Sequence, residues 1–291
     1  MSTRILLLDE PHPKARAIME EVAECYTVEE LQEEVSASLR HKQRLFLNTS
    51  NRQNIADNII GIYTQLTPIT KEIMDNCGAE TVFCPCTDVS HIQAPKIIHL
   101  DELWKSTEGQ QITSTAEHTF SLILQLAKMR RMQLKGKVLG IIGCGRIGDM
   151  VTEYAGAFNM GVEQYDKSFT LPWATIERVL RNSDIITLHV PLNDETRGMI
   201  STKEFALMKD GALLINTSRQ SIVDIAALKK HLIIESYDDT HIYYADDFKD
   251  EVDLTEYGAI QTPHIAGNTE ESRMLTDIYI ANKVKEYING L

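Results

Sequence analysis

The stretch KVLGIIGCGRIGDMV, residues 137–151, constrains this chain more than any other. Val138, Leu139, Ile141 and Ile142 make a run apolar enough for a strand buried on both faces. It runs into Gly143, Gly145 and Gly148, spaced G-x-G-x-x-G, ahead of a helical pattern from Arg146 to Phe158. Such spacing fits a plain glycine turn after a buried strand as well as a phosphate cradle. The surroundings decide between them.

Those surroundings alternate. RILLLD (4–9) reads as a buried strand, and ARAIMEEVAE (15–24) carries Ile18, Met19 and Val22 at helical spacing. RLFLN (44–48), NIIGIY (58–63) and ETVFC (80–84) read as further short strands. TPITKEIMDNCG reads as a helix that starts at Thr70 and stops at Gly78. A long apolar helix, 114–131, precedes a second series of strands at 137–142, 162–165, 184–190, 212–216, 242–245 and 259–262. Repeated β-α-β order implies parallel strands, right-handed crossovers and helices on both sheet faces. With 291 residues the chain exceeds the usual single domain, so an α/β protein of two doubly wound parallel-sheet domains is expected.

Charge excludes some functions. The 42 acidic residues outnumber the 29 basic ones, for a formal net charge of −13. A nucleic-acid or anionic-membrane surface needs clustered positive charge, so neither partner is expected. No apolar run is long enough for a membrane span, and MSTRILLLDEPHPK turns acidic too soon for a secretion signal. The five cysteines (25, 77, 84, 86 and 144) show no disulfide framework, and a cytoplasmic protein is expected. Cys84, Cys86 and His91 in CPCTDVSH suggest a metal site, but C-x-C lacks the usual zinc spacing and no second pair follows. No metal is expected.

In this context the glycines become a dinucleotide fingerprint. Gly143 allows the tight turn, Gly145 lets a pyrophosphate approach the backbone, and Gly148 lets helix and strand pack closely. The helix N-terminus offers unpaired N–H groups and a positive dipole end. Asp166 closes the next strand, where a carboxylate accepts from ribose hydroxyls and repels a 2′-phosphate, so the expected cofactor is NAD. Three further groups follow later strands: Arg219 in LLINTSRQSIVD, Asp246 and Glu251 in YYADDFKDEVD, and His264 in IQTPHIAGNTEES. Singly they read as a surface cation, acids of an acidic loop and a turn histidine. Beside the fingerprint they read together as a reactive set.

These motifs, with SDIITLHVPLNDETRGMIS and FALMKDGALLINTSRQSIVD, resemble the D-isomer-specific 2-hydroxyacid dehydrogenase family over nearly the whole chain. The resemblance implies a Rossmann-type NAD domain, 113–266, inserted in a flavodoxin-like substrate domain, 1–112 and 267–291. A C-terminal helix, 269–289, returns to the first domain and leaves the active site in the cleft. By similarity Arg219, Glu251 and His264 are the catalytic trio. Arg219 would hold the carboxylate of a 2-oxo acid and polarise its carbonyl, and His264 would pass the proton. Glu251, hydrogen-bonded to the imidazole, would orient it and favour its protonated form. Cofactor contacts would come from Gly143, Gly145, Arg146, Ile147, Gly148, Asp166, His189, Pro191, Thr196, Thr217, Asp246, His264 and Gly267. Thr87 would reach over from the other domain, and Asp246 would hold the nicotinamide end.

The chain also departs from the family pattern. Gln220 and Ser221 follow the arginine where glycine is usual, and Asp88 stands in the substrate loop in place of a glycine. The segment 229–241 lacks its usual glycine, and the arm expected between Arg131 and Leu134 to wrap a partner is missing. A homodimer with a smaller interface than the family norm is therefore expected, through the helix 115–131. Tyr63, Thr64 and Gln65 stand where relatives with phosphorylated substrates carry an arginine. That points to a small unphosphorylated 2-oxo acid over a phosphoglycerate dehydrogenase's substrate. A non-catalytic NAD-sensing scaffold stays open, as does a formate dehydrogenase-like chemistry, for which HIAG is a poor match.

Overall fold

The computed structural model describes residues 3–30, 59–87, 89–169, 174–232 and 242–291. The expected strand at 44–48, Asp88 and most of 229–241 lie outside them. The chain divides into two units, Met1–Ile112 with Glu270–Leu291, and Thr113–Thr269. Each unit is built on a parallel sheet.

In the first unit β1 (Arg4–Leu7), β2 (Glu24–Thr27), β3 (Ile59–Tyr63), β4 (Thr81–Phe83) and β5 (Lys96–Ile98) pair in the order β2-β1-β3-β4-β5. Every pairing is parallel, the doubly wound order of flavodoxin-like sheets. The two-residue period of a strand sends Ile5 and Leu7 to one face and Leu6 to the other. On the first face they meet Ala15 and Met19 of α1 (Pro13–Glu20) and Ile280, Ala281 and Val284 of the C-terminal helix Glu270–Asn289. The opposite face is covered by Met74 of α2 (Lys71–Cys77). Thr70 caps α2 by accepting from Ile73 N, and Gly78 ends it at φ 67°, the left-handed cap that glycine adopts without strain.

The strands β2 and β5 have no counterpart in the sequence reading. The apolar spacing of 15–24 runs past the true helix end at Glu20, straight over the start of β2. Both are short edge strands with few buried side chains, and such strands leave little periodic signal.

After β1, Asp9 closes the turn 64–67. Its Oδ2 accepts from the backbone N–H groups of Gln65, Leu66 and Thr67 and from the Thr64 hydroxyl, while Oδ1 accepts from the Thr67 hydroxyl. Partial burial pushes its pKa up, but the Thr67, Leu66 and Gln65 donors outweigh this and bring it down to about 2, from an ordinary 3.8. A carboxylate whose folded pKa is depressed stabilises fully above its unfolded value and loses that stabilisation as pH falls through 3.8 towards 2. Allowing for its solvent exposure, Asp9→Ala is expected to destabilise by about 1 kcal/mol at pH 7. Urea melts of the two proteins should differ at pH 7 and converge near pH 2. An equal difference at both pH values would contradict this assignment.

The second unit holds β6 (Val138–Ile142), β7 (Gly161–Tyr165), β8 (Ile185–Leu188), β9 (Leu213–Asn216), β10 (Tyr243–Asp246) and β11 (Ile260–Gln261). They pair in the order β11-β10-β9-β8-β6-β7, all parallel. The strands β8, β9 and β10 are almost continuously buried, as the two-sided cover of a parallel sheet requires. The helices α3 (Ser114–Met129) and α4 (Arg146–Ala157) cover one face, with Phe120, Ile123, Leu126 and Val151 in its core, and α5 (Ile176–Asn182) lies on the other. No helix among the described residues is long and apolar enough to cross a membrane.

Candidate functional site

The sheet of the second unit changes direction at β6, with β7 on one side and β8 on the other. In open α/β sheets such a switch point leaves a crevice at the carboxyl ends of the strands. The glycine turn follows β6 there. Gly143 has φ 99°, and a Cβ on it would meet the His189 carbonyl oxygen at 2.5 Å. A Cβ on Gly148 would lie 2.2 Å from the Gly143 carbonyl oxygen. Gly145 is different, for a Cβ there meets nothing within 4 Å. Two glycines are thus demanded by packing, and the middle one faces open space.

Gly145 is also the N-cap of α4 and supplies no side-chain cap to its leading N–H groups. Asp166, after β7, accepts from Cys144 N at 3.0 Å and from the Ser168 hydroxyl and N–H at 2.7 and 2.9 Å. The Ser168 contacts, then Cys144, hold its carboxyl below the usual carboxylate range, so it is charged at neutral pH. His189, after β8, has a ring Nε2 shut off from solvent and lacking a hydrogen-bond partner, and burial pushes its pKa down to about 4. An open glycine, uncapped helix N–H groups, a charged carboxylate and an orphaned ring nitrogen fit a dinucleotide.

Other expected cofactor residues are placed as follows. Arg146 and Ile147 open α4, and burial lowers the Arg146 pKa. The Thr196 hydroxyl donates to the Pro191 carbonyl at 2.6 Å and closes that turn. The Thr217 hydroxyl pairs with Thr119 of α3 at 2.8 Å. Gly267 is exposed. In the first unit, the Thr87 hydroxyl accepts from Trp104 Nε1 at 2.9 Å.

The reactive candidates follow the next three strands of the same sheet: Arg219 after β9, Glu251 after β10 and His264 after β11. Partial burial raises the pKa of Glu251, the charges of His264 and Arg219 lower it, and that of Asp246 raises it. Glu251 therefore lies within electrostatic reach of all three. Glu251 and His264 share no hydrogen bond among the described residues, so the expected direct bond gives way to a through-space pairing. The His264 ring instead stands edge-on to the buried ring of Phe248, at 5.5 Å between centroids. Arg219 Nη1 donates to the Ser218 carbonyl at 2.7 Å.

Asp246, expected at the nicotinamide end, is fully buried. Its Oδ1 accepts from Gln261 Nε2 at 2.9 Å and Phe248 N at 3.2 Å, and its Oδ2 from Gln220 Nε2 at 3.2 Å. Burial raises its pKa against these donors. Gln220, the departure after the arginine, fills the interior at 2% exposure and also donates to the Val252 carbonyl at 3.1 Å. It ties the Arg219 turn to the loop carrying Glu251. The sequence reading missed this role, because a glutamine beside an arginine gives no sign of which way it points.

In the first unit, two of the three positions read as facing the substrate lie in the core. Tyr63 and Thr64 are fully buried and do not offer free donors. The Tyr63 hydroxyl donates to Asp277 at 2.9 Å and the Thr64 hydroxyl to Asp9. A strand buried on both faces leaves its last side chain in the core.

Comparison with known proteins agrees with this geometry. Residues 104–266 match the family model for the D-isomer specific 2-hydroxyacid dehydrogenase, NAD binding domain. The chain belongs to that family, and its second unit is an NAD-binding domain. It is 35% identical to D-3-phosphoglycerate dehydrogenase of Bacillus subtilis over 61% of this chain and 39% of that protein. It is 31% identical to glyoxylate reductase of Aeropyrum pernix over 64% of this chain and 66% of that one. The matched stretch thus spans about two fifths of the first relative and two thirds of the second. Among solved structures, the TT0316 protein of Thermus thermophilus superimposes with a TM-score of 0.77 at 23% identity, covering 99% of this chain and 97% of that one. A D-lactate dehydrogenase of Aquifex aeolicus, complexed with NAD and lactic acid, gives 0.71 at 22% identity, covering 98% and 96%. These two likenesses bear on the fold alone.

Proposed function

We propose that the protein is an NAD-dependent oxidoreductase that interconverts a small D-2-hydroxy acid and its 2-oxo acid. The observation that carries the reading is the placement of Arg219, Glu251 and His264 after the adjacent parallel strands β9, β10 and β11, in the sheet that carries the glycine cradle. The nicotinamide, when bound, supplies or accepts the hydride. Arg219 binds the substrate carboxylate with charge-assisted hydrogen bonds and polarises the neighbouring carbonyl. His264 delivers a proton from its imidazole to the carbonyl oxygen and takes it back in the oxidative direction. Glu251 lies within electrostatic reach of both His264 and Arg219. Asp246 and Gln220 act beneath these groups, joining the turns that carry them.

Asp166 sets the choice of cofactor. A charged carboxylate facing a 2′-phosphate is repulsive, and even with solvent screening NADH is expected to exceed NADPH by about tenfold or more in kcat/KM. Asp166→Ala should narrow the gap. Of the three positions where relatives with phosphorylated substrates carry an arginine, only Gln65 is not buried, and it has no positive charge, so a desolvated phosphate dianion would lack compensation there. NADH oxidation is therefore expected to be faster, in kcat/KM, with glyoxylate or hydroxypyruvate than with 3-phosphohydroxypyruvate. Turnover of none of these acids would reject the activity. A preference for the phosphorylated compound would restore phosphoglycerate dehydrogenase as the assignment.

The proposal includes a cytoplasmic location, supported by five cysteines that remain thiols, and a homodimer. Supporting the dimer, Leu124, Met129 and Phe158 are 44%, 51% and 39% exposed along an apolar groove of about 770 Å3 on α3 and α4. Such a face is suited to a partner. Light scattering should give twice the monomer mass, reduced towards the monomer by Leu124→Glu. A concentration-independent monomer would contradict the assembly.

A further inference from the structure

His264 sits in a backbone conformation that a histidine does not hold unaided. Its φ is 52°, in the left-handed region, where a side chain other than glycine persists only when its surroundings impose it. The surroundings here converge on one neighbour, Asp247, which is 1% exposed and immediately follows β10. Asp247 Oδ1 accepts from Ile265 N at 2.9 Å and from the Thr262 hydroxyl, and Oδ2 accepts from Ala266 N at 2.7 Å. Its carbonyl accepts from the N–H of His264 itself at 3.0 Å. Donors on both sides of His264 in the chain thus end on this one residue.

A second layer holds the carboxylate. His118 of α3 places Nε2 2.9 Å from the Thr262 hydroxyl oxygen and 3.6 Å from Asp247 Oδ1. The next residue of that helix, Thr119, pairs with Thr217 at the base of the Arg219 turn. Consecutive residues of α3 therefore support both the His264 turn and the Arg219 turn. None of these groups entered the reactive set read from the motifs.

We propose that Asp247, held by Thr262 and His118, is the positioning residue for His264. It fixes the turn 262–266 so that the imidazole is presented in a single orientation, and it does so by accepting from the turn's own N–H groups. The inference rests on the reading of His264 as the proton-transfer group. Asp247→Asn is close in shape but replaces one acceptor oxygen with an amide donor, so it cannot accept from both Ile265 N and Ala266 N through its side chain.

The test is a double-mutant cycle of Asp247→Asn with His264→Ala, read as kcat, KM and NADH affinity, together with hydrogen exchange of the 262–268 segment. Asp247→Asn is expected to lower kcat about tenfold or more with KM and NADH affinity little changed, and to speed exchange of the Ile265 and Ala266 amides. In the His264→Ala background it should lower kcat no further, because its effect passes through the imidazole. Thr262→Val, a neutral change beside the carboxylate, should give a smaller loss of the same kind if Asp247→Asn does not fold. Unchanged kcat and exchange would overturn the proposal, and so would an equal fall in both backgrounds. If His264→Ala keeps full turnover, the reading of His264 fails, while the exchange measurement still decides whether Asp247 holds the turn.

Discussion

Replacing His264 by alanine is expected to lower kcat by about two orders of magnitude or more, the usual size of a lost general acid or base. The residue leads no helix and joins no ion pair with Glu251. Among the described residues its ring contact is with Phe248, an apolar residue that gives the imidazole a wall. The expected loss therefore comes chiefly from proton transfer. Arg219→Ala should differ in kind, raising KM as well as lowering kcat, since the guanidinium binds the carboxylate in ground and transition states alike. Arg219→Lys should recover little, because a point charge does not reproduce a planar fork of donors. Steady-state kinetics on the best 2-oxo acid separates these outcomes. Near-wild-type turnover of both alanine variants would remove the trio from the mechanism.

The second large effect is expected at Gly148, where room, not chemistry, is at issue. A Cβ there would stand 2.2 Å from the Gly143 carbonyl oxygen, and that atom is backbone in a buried turn. Gly148→Val must push α4 away from β6, opening the loop that brings the helix N–H groups towards a pyrophosphate. Overpacking of this kind carries a penalty of about 3 kcal/mol, which corresponds to about a hundredfold in affinity if it is expressed in binding. NADH fluorescence titration is expected to show that loss, with far-UV circular dichroism preserved. Gly145→Ala, at a position open to 4 Å, should fold as well as the parent and lose affinity only where the methyl meets the bound phosphates. An unaltered dissociation constant for Gly148→Val would contradict the assigned role of the turn.

The central strands of the second unit were legible in the sequence because they are nearly continuous apolar runs. Buried strands such as Ile185–Leu188 and Leu213–Asn216 leave no polar alternation to confuse with a helix. The glycines were legible for a related reason, since Gly143 and Gly148 leave no room for a side chain while Gly145 keeps the helix N-terminus open. The edge strands of the first unit were not. Glu24–Thr27 hides behind a helical apolar pattern, and Lys96–Ile98 is too short to show a period.

Side-chain direction was the other loss. Tyr63, Gln220 and Asp247 were visible as letters, but whether a residue at a strand end points into a crevice or into the core depends on neighbours far along the chain. Tyr63 meets Asp277, 214 positions away. Asp247 meets His118 from a helix more than a hundred residues earlier. Such pairs are set by tertiary packing, and a single sequence carries no mark of them. The buried hub of Asp246, Gln220 and Gln261 belongs to the same category.

The most direct test of the proposed activity is stereochemical. Purified protein, NAD and either the D or the L isomer of glycerate or lactate should be compared by initial rate of NADH formation. NADH formation is expected with the D isomer of at least one acid and essentially none with its L counterpart. Preference for the L isomer, or no reduction of NAD with any of the four compounds and no oxidation of NADH by the matching 2-oxo acids, would contradict it.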